Sequence, residues 1–287
     1  MPATLDFILS ATRQRLSERR GRVDRSAFEQ AAQRHLPRGF RQQLQQASKD
    51  GIAVIAELKK ASPSRGLIRS NFQPAELARQ LQQGGAAALS VLTDQQFFQG
   101  SLDYLCQASA SASLPCLRKD FIIDEFQIVE ARAHCADAVL LIVAALTQKE
   151  LIALLASARS CQLDVLCEAH DEQELQRALD AGCDLIGINS RDLRTFEVTL
   201  DTARRLAEKI PDPCLAVAES GIHSSADLAL LRASGYDAFL IGESLMKEKN
   251  PGETLAKLLS DSKHQAPVSS EEGLGSKLEA RSSRLPI

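Results

Sequence analysis

The sequence predicts an α/β protein, a (β/α)8 TIM barrel with an N-terminal helical extension, and three observations lead to this prediction. The first is a recurring phrase in which a small residue and a short turn, usually with an aspartate, precede a continuous apolar run. The phrase occurs as GAAALSVL, CADAVLLI, GCDLIGI and GYDAFLI, starting at residues 85, 135, 182 and 235. Glycine suits a helix end, and apolar runs without polar alternation are typical of parallel strands buried on both faces.

The second observation is the spacing of these phrases, which is about twice the length of one βα unit. Further apolar segments lie between them and supply the remaining strands, at residues 52–58, 115–117, 163–168 and 214–219. Alternating strands and helices therefore fill residues 51–260.

The third observation is that helix starts are marked where the alternation requires them. Pro74 suits a first helical position, and Asp171 with Glu174, like Ser224 with Asp227, has the spacing of a capping box. Eight strands alternating with helices favour a closed parallel barrel. A doubly wound open sheet is the alternative, because alternation alone does not prove closure.

Composition divides the chain into three parts. Residues 1–45 are expected to form the helical extension, residues 46–261 the barrel and residues 262–287 a disordered tail, where Ser, Gly, Glu and Lys replace apolar periodicity. The extension carries arginines and an apolar stripe at helical spacing, which is expected to lie across the barrel mouth. The stripe consists of Leu5, Ile8, Leu9, Thr12 and Leu16.

Overall charge and cysteine pattern exclude several classes of function. A net charge of −3 and a pI near 6.0 argue against nucleic acid or an anionic membrane as the main partner. The N-terminus has no signal-peptide pattern, so we expect a cytoplasmic protein, and we expect a monomer. The seven cysteines contain no CxxC pair and are expected to be reduced core residues without a disulfide or metal role.

Ionisable and amide side chains recur where the predicted strands end. In a barrel of this kind, chemistry takes place at the carboxyl ends of the strands. One such side chain alone would usually be a solvated loop residue, but a set from several strands converges on one mouth, where burial tunes pKa values. The set consists of Glu57, Lys59, Lys119, Glu168, Asn189, Arg191, Glu219 and Glu243.

Two glycines indicate a phosphate site. Gly221 follows strand 7 and Gly242 ends strand 8, and the loops after these strands are the usual phosphate site of this fold. Glycines leave backbone N–H groups accessible, and a helix N-terminus adds favourable charge. The pair therefore favours a small phosphorylated substrate.

At these residues the chain resembles the indole-3-glycerol-phosphate synthase family, from about residue 1 to residue 260. The motifs that carry the resemblance are AELKKASPS (56–64), LSVLTD (89–94), FQGSL (98–102), LRKDFIID (117–124), GINSRDL (187–193), VAESGI (217–222) and LIGESLM (240–246). Two departures are small: Ser190 stands where the family more often has Asn, and Cys167 where it usually has Val. Neither removes a functional group that the family uses.

The resemblance implies a carbon–carbon lyase of tryptophan biosynthesis, without cofactor or metal. Such enzymes convert 1-(o-carboxyphenylamino)-1-deoxyribulose 5-phosphate into indole-3-glycerol phosphate, carbon dioxide and water. It implies that Lys119 protonates the attacked ketone, while Glu57, Lys59 and Glu168 are the candidates for the dehydration, with the division between them open. Asn189 and Arg191 would hold the substrate.

Further substrate contacts follow from the same resemblance. Ser62, Gly221 and Gly242 would bind the phosphate, with Ser220, Glu219 and Glu243 in the same loops. Phe98, Phe121 and Leu140 are candidates for an apolar slot around the anthranilate ring, although core packing explains Leu140 equally well. A related ribulose-phosphate isomerase would not need Glu57, Lys59 and Lys119, and an inactive binding barrel would have lost strand-end acids and bases.

Overall fold

The computed structural model describes residues 4–20, 25–192 and 197–263. Eight parallel strands form a closed barrel in which the first strand is hydrogen-bonded to both the second and the last, so the barrel is confirmed and the open sheet is wrong. The strands are β1 (Ala53–Leu58), β2 (Ala88–Leu92), β3 (Cys116–Lys119), β4 (Ala138–Ile142), β5 (Asp164–Ala169), β6 (Leu185–Asn189), β7 (Leu215–Glu219) and β8 (Ala238–Ile241).

Helices precede and follow these strands in the order that the sequence predicts. They are α1 (Leu5–Arg20), α2 (Arg25–Arg34), α3 (Phe40–Asp50), α4 (Pro74–Gln83), α5 (Gln95–Phe98), α6 (Leu102–Ser111), α7 (Glu125–Ala133), α8 (Gln148–Ser160), α9 (Glu172–Asp180), α10 (Leu200–Ala207), α11 (Ser225–Ala233), α12 (Glu243–Met246) and α13 (Pro251–Lys263). A short antiparallel hairpin follows β1, and its two strands, Ala61–Ser62 and Gly66–Leu67, have two residues each.

Two helix starts were predicted to carry capping boxes, and the structure separates them. Ser224 and Asp227 at α11 form the reciprocal pair of hydrogen bonds. At α9 the Asp171 side chain accepts from the Glu174 N–H, but the Glu174 carboxylate accepts from the backbone N–H of His170 at 2.8 Å instead. The capping box at α9 is therefore wrong in its second half, because His170 occupies that carboxylate.

The barrel has two apolar layers. Strand side chains that point outward pack against the surrounding helices, and those that point inward, such as Ile55, Leu117 and Leu166, fill the barrel itself. Phe40 and Leu44 of α3 belong to the inner layer and are fully buried. Helix α3 thus joins the N-terminal region to the barrel core.

We expect Phe40→Ala to lower the free energy of unfolding by about 3–5 kcal/mol, the usual cost of removing a buried phenylalanine. Urea unfolding followed by circular dichroism measures this loss. Leu36→Ala is the matched control, because Leu36 is 79% exposed just before the same helix. Equal stability of the two variants would contradict the role given to Phe40 in the core.

The expectation that all cysteines are reduced is wrong for two of them. Cys167 in β5 and Cys183 before β6 form a disulfide, with their Cα atoms 6.5 Å apart. Because β5 and β6 are neighbours in the barrel, residues 16 positions apart in sequence come within disulfide distance. The other cysteines are free.

Three further expectations concern the C-terminal tail, membrane spans and metal sites. Helix α13 continues to Lys263, two residues into the predicted tail, and residues 264–287 lie outside the described part. Within the described residues, no helix is long and apolar enough to cross a membrane. The same residues contain no group of three or more His, Cys, Asp or Glu side chains arranged for a metal ion.

Candidate active site

One pocket opens at the carboxyl ends of the barrel strands, and every site residue that the sequence predicts lines it. These residues are Glu57, Lys59, Ser62, Phe98, Lys119, Phe121, Leu140, Glu168, Asn189, Arg191, Glu219, Ser220, Gly221, Gly242 and Glu243. They come together because parallel strands of a closed barrel all end on the same rim.

Lys119 lies between two buried carboxylates. Its Nζ donates to Glu168 Oε2 at 2.9 Å and to Glu219 Oε2, joining the ends of β3, β5 and β7. Burial alone would lower the pKa of Lys119, but the charges of Glu168 and Glu219 outweigh burial and raise it above its usual value. Lys119 is therefore held as a cation deep in the pocket.

The two glutamates on Lys119 have different environments. Burial raises the pKa of Glu219 to about 8, against the attraction of Lys119, and the charge of Glu168 adds to the rise. For Glu168, burial acts in the same direction, but Lys119 and His170 outweigh it and lower the pKa below the ordinary glutamate value. Of the two carboxyls on Lys119, Glu168 is therefore the more easily ionised and Glu219 the more easily protonated.

A second acid–base pair stands at the end of β1. Lys59 Nζ lies 2.7 Å from Glu57 Oε1, and both side chains are largely buried. Gly242 leaves the room that Glu57 needs, because a Cβ on Gly242 would lie 2.4 Å from Glu57 Oε1. Gly242 therefore positions Glu57, a role that the sequence did not indicate.

The phosphate-binding candidates lie together after β7 and β8. Ser220 and Gly221 both have positive φ, 67° and 78°, which turns the chain sharply before α11. Ser62 approaches this side from the hairpin after β1, with its Oγ 3.5 Å from Ser64 Oγ. Ser244, which the sequence prediction did not include among the site residues, also lines the pocket, and its Oγ donates to the Ile222 carbonyl oxygen at 3.3 Å.

Comparison with known proteins agrees with this geometry. The family model for indole-3-glycerol phosphate synthase matches residues 5–258. A curated indole-3-glycerol phosphate synthase from Koribacter versatilis (strain Ellin345) is 55% identical over 259 residues, covering 90% of this chain and 100% of that protein. The chain belongs to the indole-3-glycerol phosphate synthase family. It is therefore a lyase of tryptophan biosynthesis that acts on a small phosphorylated substrate.

Solved structures of other proteins share the fold of this synthase family. Thiamine phosphate pyrophosphorylase from Pyrococcus furiosus aligns with a TM-score of 0.54 at 17% identity, over 76% of this chain and 98% of its own. A mandelate oxidase mutant in complex with (S)-mandelic acid aligns with a TM-score of 0.55 at 16% identity, over 74% of this chain and 71% of its own. At these identities the likeness shows the barrel fold alone.

The apolar side of the synthase pocket combines barrel and extension. The rings of Phe98 and Phe121 lie 6.2 Å apart, and Leu140 lies below them inside the barrel. Leu5 and Ile8 of α1 complete this wall. Both belong to the apolar stripe, so the sequence predicted where their helix lies without including them among the site residues.

Helix α1 is attached to the rim by arginine–carboxylate pairs. Arg15 pairs with Asp94, Arg19 with Glu130 and Arg20 with Asp124. Glu130 also pairs with the buried Arg118, which neighbours Lys119 in the chain and contacts Asp120 at 3.0 Å. Asp120 in turn accepts from the Phe121 N–H at 2.9 Å, which orients the loop after β3.

Two predicted substrate contacts have other partners in the structure. Glu243 Oε1 lies 2.6 Å from Lys247 Nζ and 3.2 Å from Arg65 Nε, so its carboxylate is engaged within the rim. Asn189, which lines the pocket, accepts at Oδ1 from the backbone N–H of Arg191 at 3.1 Å, so this oxygen is engaged and the amide nitrogen is the donor that Asn189 can offer. Glu243 thus supports the loop after β8, while Asn189 presents a donor.

The raised pKa of Glu219 predicts a pH-dependent stability difference. Folded Glu219 keeps its proton up to pH about 8, whereas the unfolded chain releases it near 4.5, so this group lowers stability as pH rises between these values. The free energy of unfolding of Glu219→Gln minus that of the wild type should therefore grow between pH 5 and pH 8, by up to about 1.4 kcal/mol per pH unit. Urea unfolding at several pH values measures it, and a constant difference would contradict the assignment.

Proposed function

We propose that the pocket closes the indole ring in two acid–base stages, with Lys119 serving the first and the Glu57–Lys59 pair the second. The substrate is 1-(o-carboxyphenylamino)-1-deoxyribulose 5-phosphate. The observation that carries the proposal is the presence of two separate ammonium–carboxylate groups in one pocket, one at the ends of β3, β5 and β7 and the other at the end of β1.

In the first stage, the aromatic carbon that bears the carboxylate attacks the ribulose ketone. Charge grows on the ketone oxygen, and a fixed cation that can also donate a proton stabilises it best. Lys119 is such a cation, because Glu168 and Glu219 keep it protonated in the pocket. The bond from the attacking aromatic carbon to its carboxylate then breaks, which releases carbon dioxide and restores the aromatic ring.

In the second stage, the new hydroxyl leaves as water. Hydroxide is a poor leaving group, so this step needs an acid and a base. Lys59 can donate the proton and Glu57 can accept the one that is lost, since they lie 2.7 Å apart on the wall opposite β5. Separation of the two groups lets each stage have its own proton donor.

Three other parts of the pocket hold the substrate in this proposal. Ser62, Ser220, Gly221, Gly242 and Ser244 surround the phosphate. The anthranilate ring is apolar on both faces and suits an apolar wall. This wall is formed by Phe98, Phe121 and Leu140, together with the α1 stripe. Asn189 and Arg191 bind the oxygens between these two ends, and both line the pocket.

Single-turnover experiments test the two stages separately. Released carbon dioxide reports the end of the first stage, and indole fluorescence reports the end of the second. Lys119→Ala should slow both signals together, whereas Lys59→Ala should still release carbon dioxide while fluorescence lags. If Lys59→Ala slowed carbon dioxide release as much as Lys119→Ala, the division between the two groups would be wrong.

The phosphate assignment has its own test. Inorganic phosphate at tens of millimolar should inhibit competitively, which is the range of weak single-anion sites. Ser244→Asp should raise KM by about 10-fold or more and remove this inhibition, because a carboxylate would face the anion. Gly242→Asp is a poorer variant, since its side chain meets Glu57 first. Inhibition unchanged in Ser244→Asp would place the phosphate elsewhere.

We propose a cytoplasmic monomer without a nucleic-acid partner, divided into extension (1–45), barrel (46–261) and tail (262–287). Size-exclusion chromatography with light scattering at micromolar concentration measures the mass, for which one chain of 31.2 kDa is expected. A mass of twice this value would contradict the monomer.

A further inference from the structure

His170 occupies a position behind the active site that the two-stage mechanism does not use. It follows Glu168 by two residues, at the point where β5 ends and α9 begins. Its side chain is 11% exposed and stands between two carboxylates. One is Glu168, at 3.4 Å from Nε2, and the other is Glu174, at 3.0 Å from Nδ1.

Glu174 fixes the orientation of His170. Its Oε2 accepts from both the backbone N–H and the ring Nδ1 of His170. Helix α9 begins here, with Asp171 accepting from the Glu174 N–H. The ring is therefore attached to the first turn of a helix, with Nε2 at 3.4 Å from Glu168 Oε1, an ion-pair contact in which Nε2 makes no hydrogen bond with the described residues.

The result is a line in which carboxyl and cationic groups alternate: Glu174, His170, Glu168, Lys119, Glu219. Glu168 contacts a cation on each side, whereas Lys119 is the one cation that contacts Glu219 within the described residues, where Glu219 Oε1 has no hydrogen-bond partner. Two buried carboxylates that share one ammonium would otherwise compete for the same proton. His170 is what distinguishes them.

We propose that His170 is a positioning residue that keeps Glu168 ionised, so that Glu168 remains the anionic partner of Lys119 when Lys119 acts on the substrate. The inference rests on the proposed function for its catalytic consequence. For the charge state itself, it rests on the contacts of His170 alone.

Electrostatics around the ring supports this role. Burial would lower the pKa of His170, but the neighbouring carboxylates of Glu168 and Glu174 outweigh it and raise the pKa to about 10. The groups that face Glu168 and His170 are Lys119 from β3, Glu219 from β7 and Glu174 from α9, with Glu57 acting on Lys119 from β1. The 3-10 turn Val143–Ala145 packed beside α9 contributes no titratable group.

The first test measures the charge directly in the unliganded protein. In histidine ring NMR spectra, His170 should keep imidazolium chemical shifts up to pH about 9, and the variant His170→Asn assigns the signal by its loss. A ring that titrates near pH 6.5, the value of an unperturbed histidine, would overturn the inference even if the enzyme is active.

The second test measures the consequence for turnover. Replacing the His170 imidazolium by a neutral amide should raise the pKa of Glu168. In His170→Asn and in His170→Gln, the acidic limb of the plot of kcat against pH should therefore move to higher pH by at least about one unit. Because pH 7 lies well above the acidic limb even after this shift, kcat and KM at pH 7 should change less than about 3-fold, and the loss of kcat should appear below about pH 5. The two amides differ in length, so one variant remains usable if the other fails to fold.

His35→Asn is the matched control. His35 Nε2 lies 2.9 Å from Asp137 Oδ1 and is similarly buried, but outside the pocket. It should lose comparable stability and keep the wild-type pH profile. A His170 variant whose acidic limb matches that of His35→Asn would overturn the inference, whereas absence of product from the wild type would overturn the proposed function instead.

Discussion

Lys119→Ala is expected to lower kcat by at least about 100-fold, the scale of a positioned acid or of one lost electrostatic contact to a developing oxyanion. The reason is that Lys119 is the cation held by Glu168 and Glu219 deep in the pocket. Lys59 is paired with Glu57 on another wall and does not replace it. KM should change much less than kcat, because the phosphate and the aromatic ring bind elsewhere.

Removing Lys119 also leaves two buried carboxylates without their shared cation. Loss of one partner of a buried ion pair is destabilising, although Glu219 can lower this cost by holding its proton. The variant should therefore be assayed well below its melting temperature, with circular dichroism as the check of folding. A folded variant with turnover near that of the wild type would remove Lys119 from the mechanism.

Deleting residues 1–20 is expected to raise KM by about 10-fold or more, with a smaller effect on kcat. Helix α1 places Leu5 and Ile8 in the pocket wall, and burying apolar surface of this size against a ligand accounts for one or more powers of ten in affinity. Ile8, Leu9 and Leu16 are buried, so their barrel contacts would become exposed and solubility should fall.

The deletion ends at residue 20 for a structural reason. A cut at residue 40 would also remove Phe40 from the barrel core and would test folding rather than binding. Removal of residues 264–287 is the matched control, since it begins after α13 ends, and it should leave turnover and melting temperature almost unchanged. A damaging tail deletion beside a silent α1 deletion would reverse the roles given to the two ends.

Sequence predicted the parts of this molecule that follow from periodicity and chain direction. The recurring phrase located strands such as Ala138–Ile142, and closure into a barrel then brought every strand-end residue to one rim. The apolar stripe of α1 likewise indicated a helix against the mouth. These features depend on local patterns, which a single sequence contains.

Contacts between distant residues could not be predicted in the same way. Three such contacts depend on the register between strands. They are the carboxylates that hold Lys119, the room that Gly242 leaves for Glu57, and the disulfide between Cys167 and Cys183. His170 was missed because a lone histidine after a strand carries no pattern. Only the position of Glu174, three residues into α9, shows what the ring is attached to.

We propose that this chain closes an indole ring with its own side chains, and the appearance of indole-3-glycerol phosphate is the direct measurement of that activity. Purified full-length protein is mixed with 1-(o-carboxyphenylamino)-1-deoxyribulose 5-phosphate, and indole fluorescence is followed with Lys119→Ala in parallel. We expect steady product formation by the wild type and a rate at least about 100-fold lower for Lys119→Ala. Folded wild-type protein that produces no fluorescence, or equal rates from the two proteins, would contradict it.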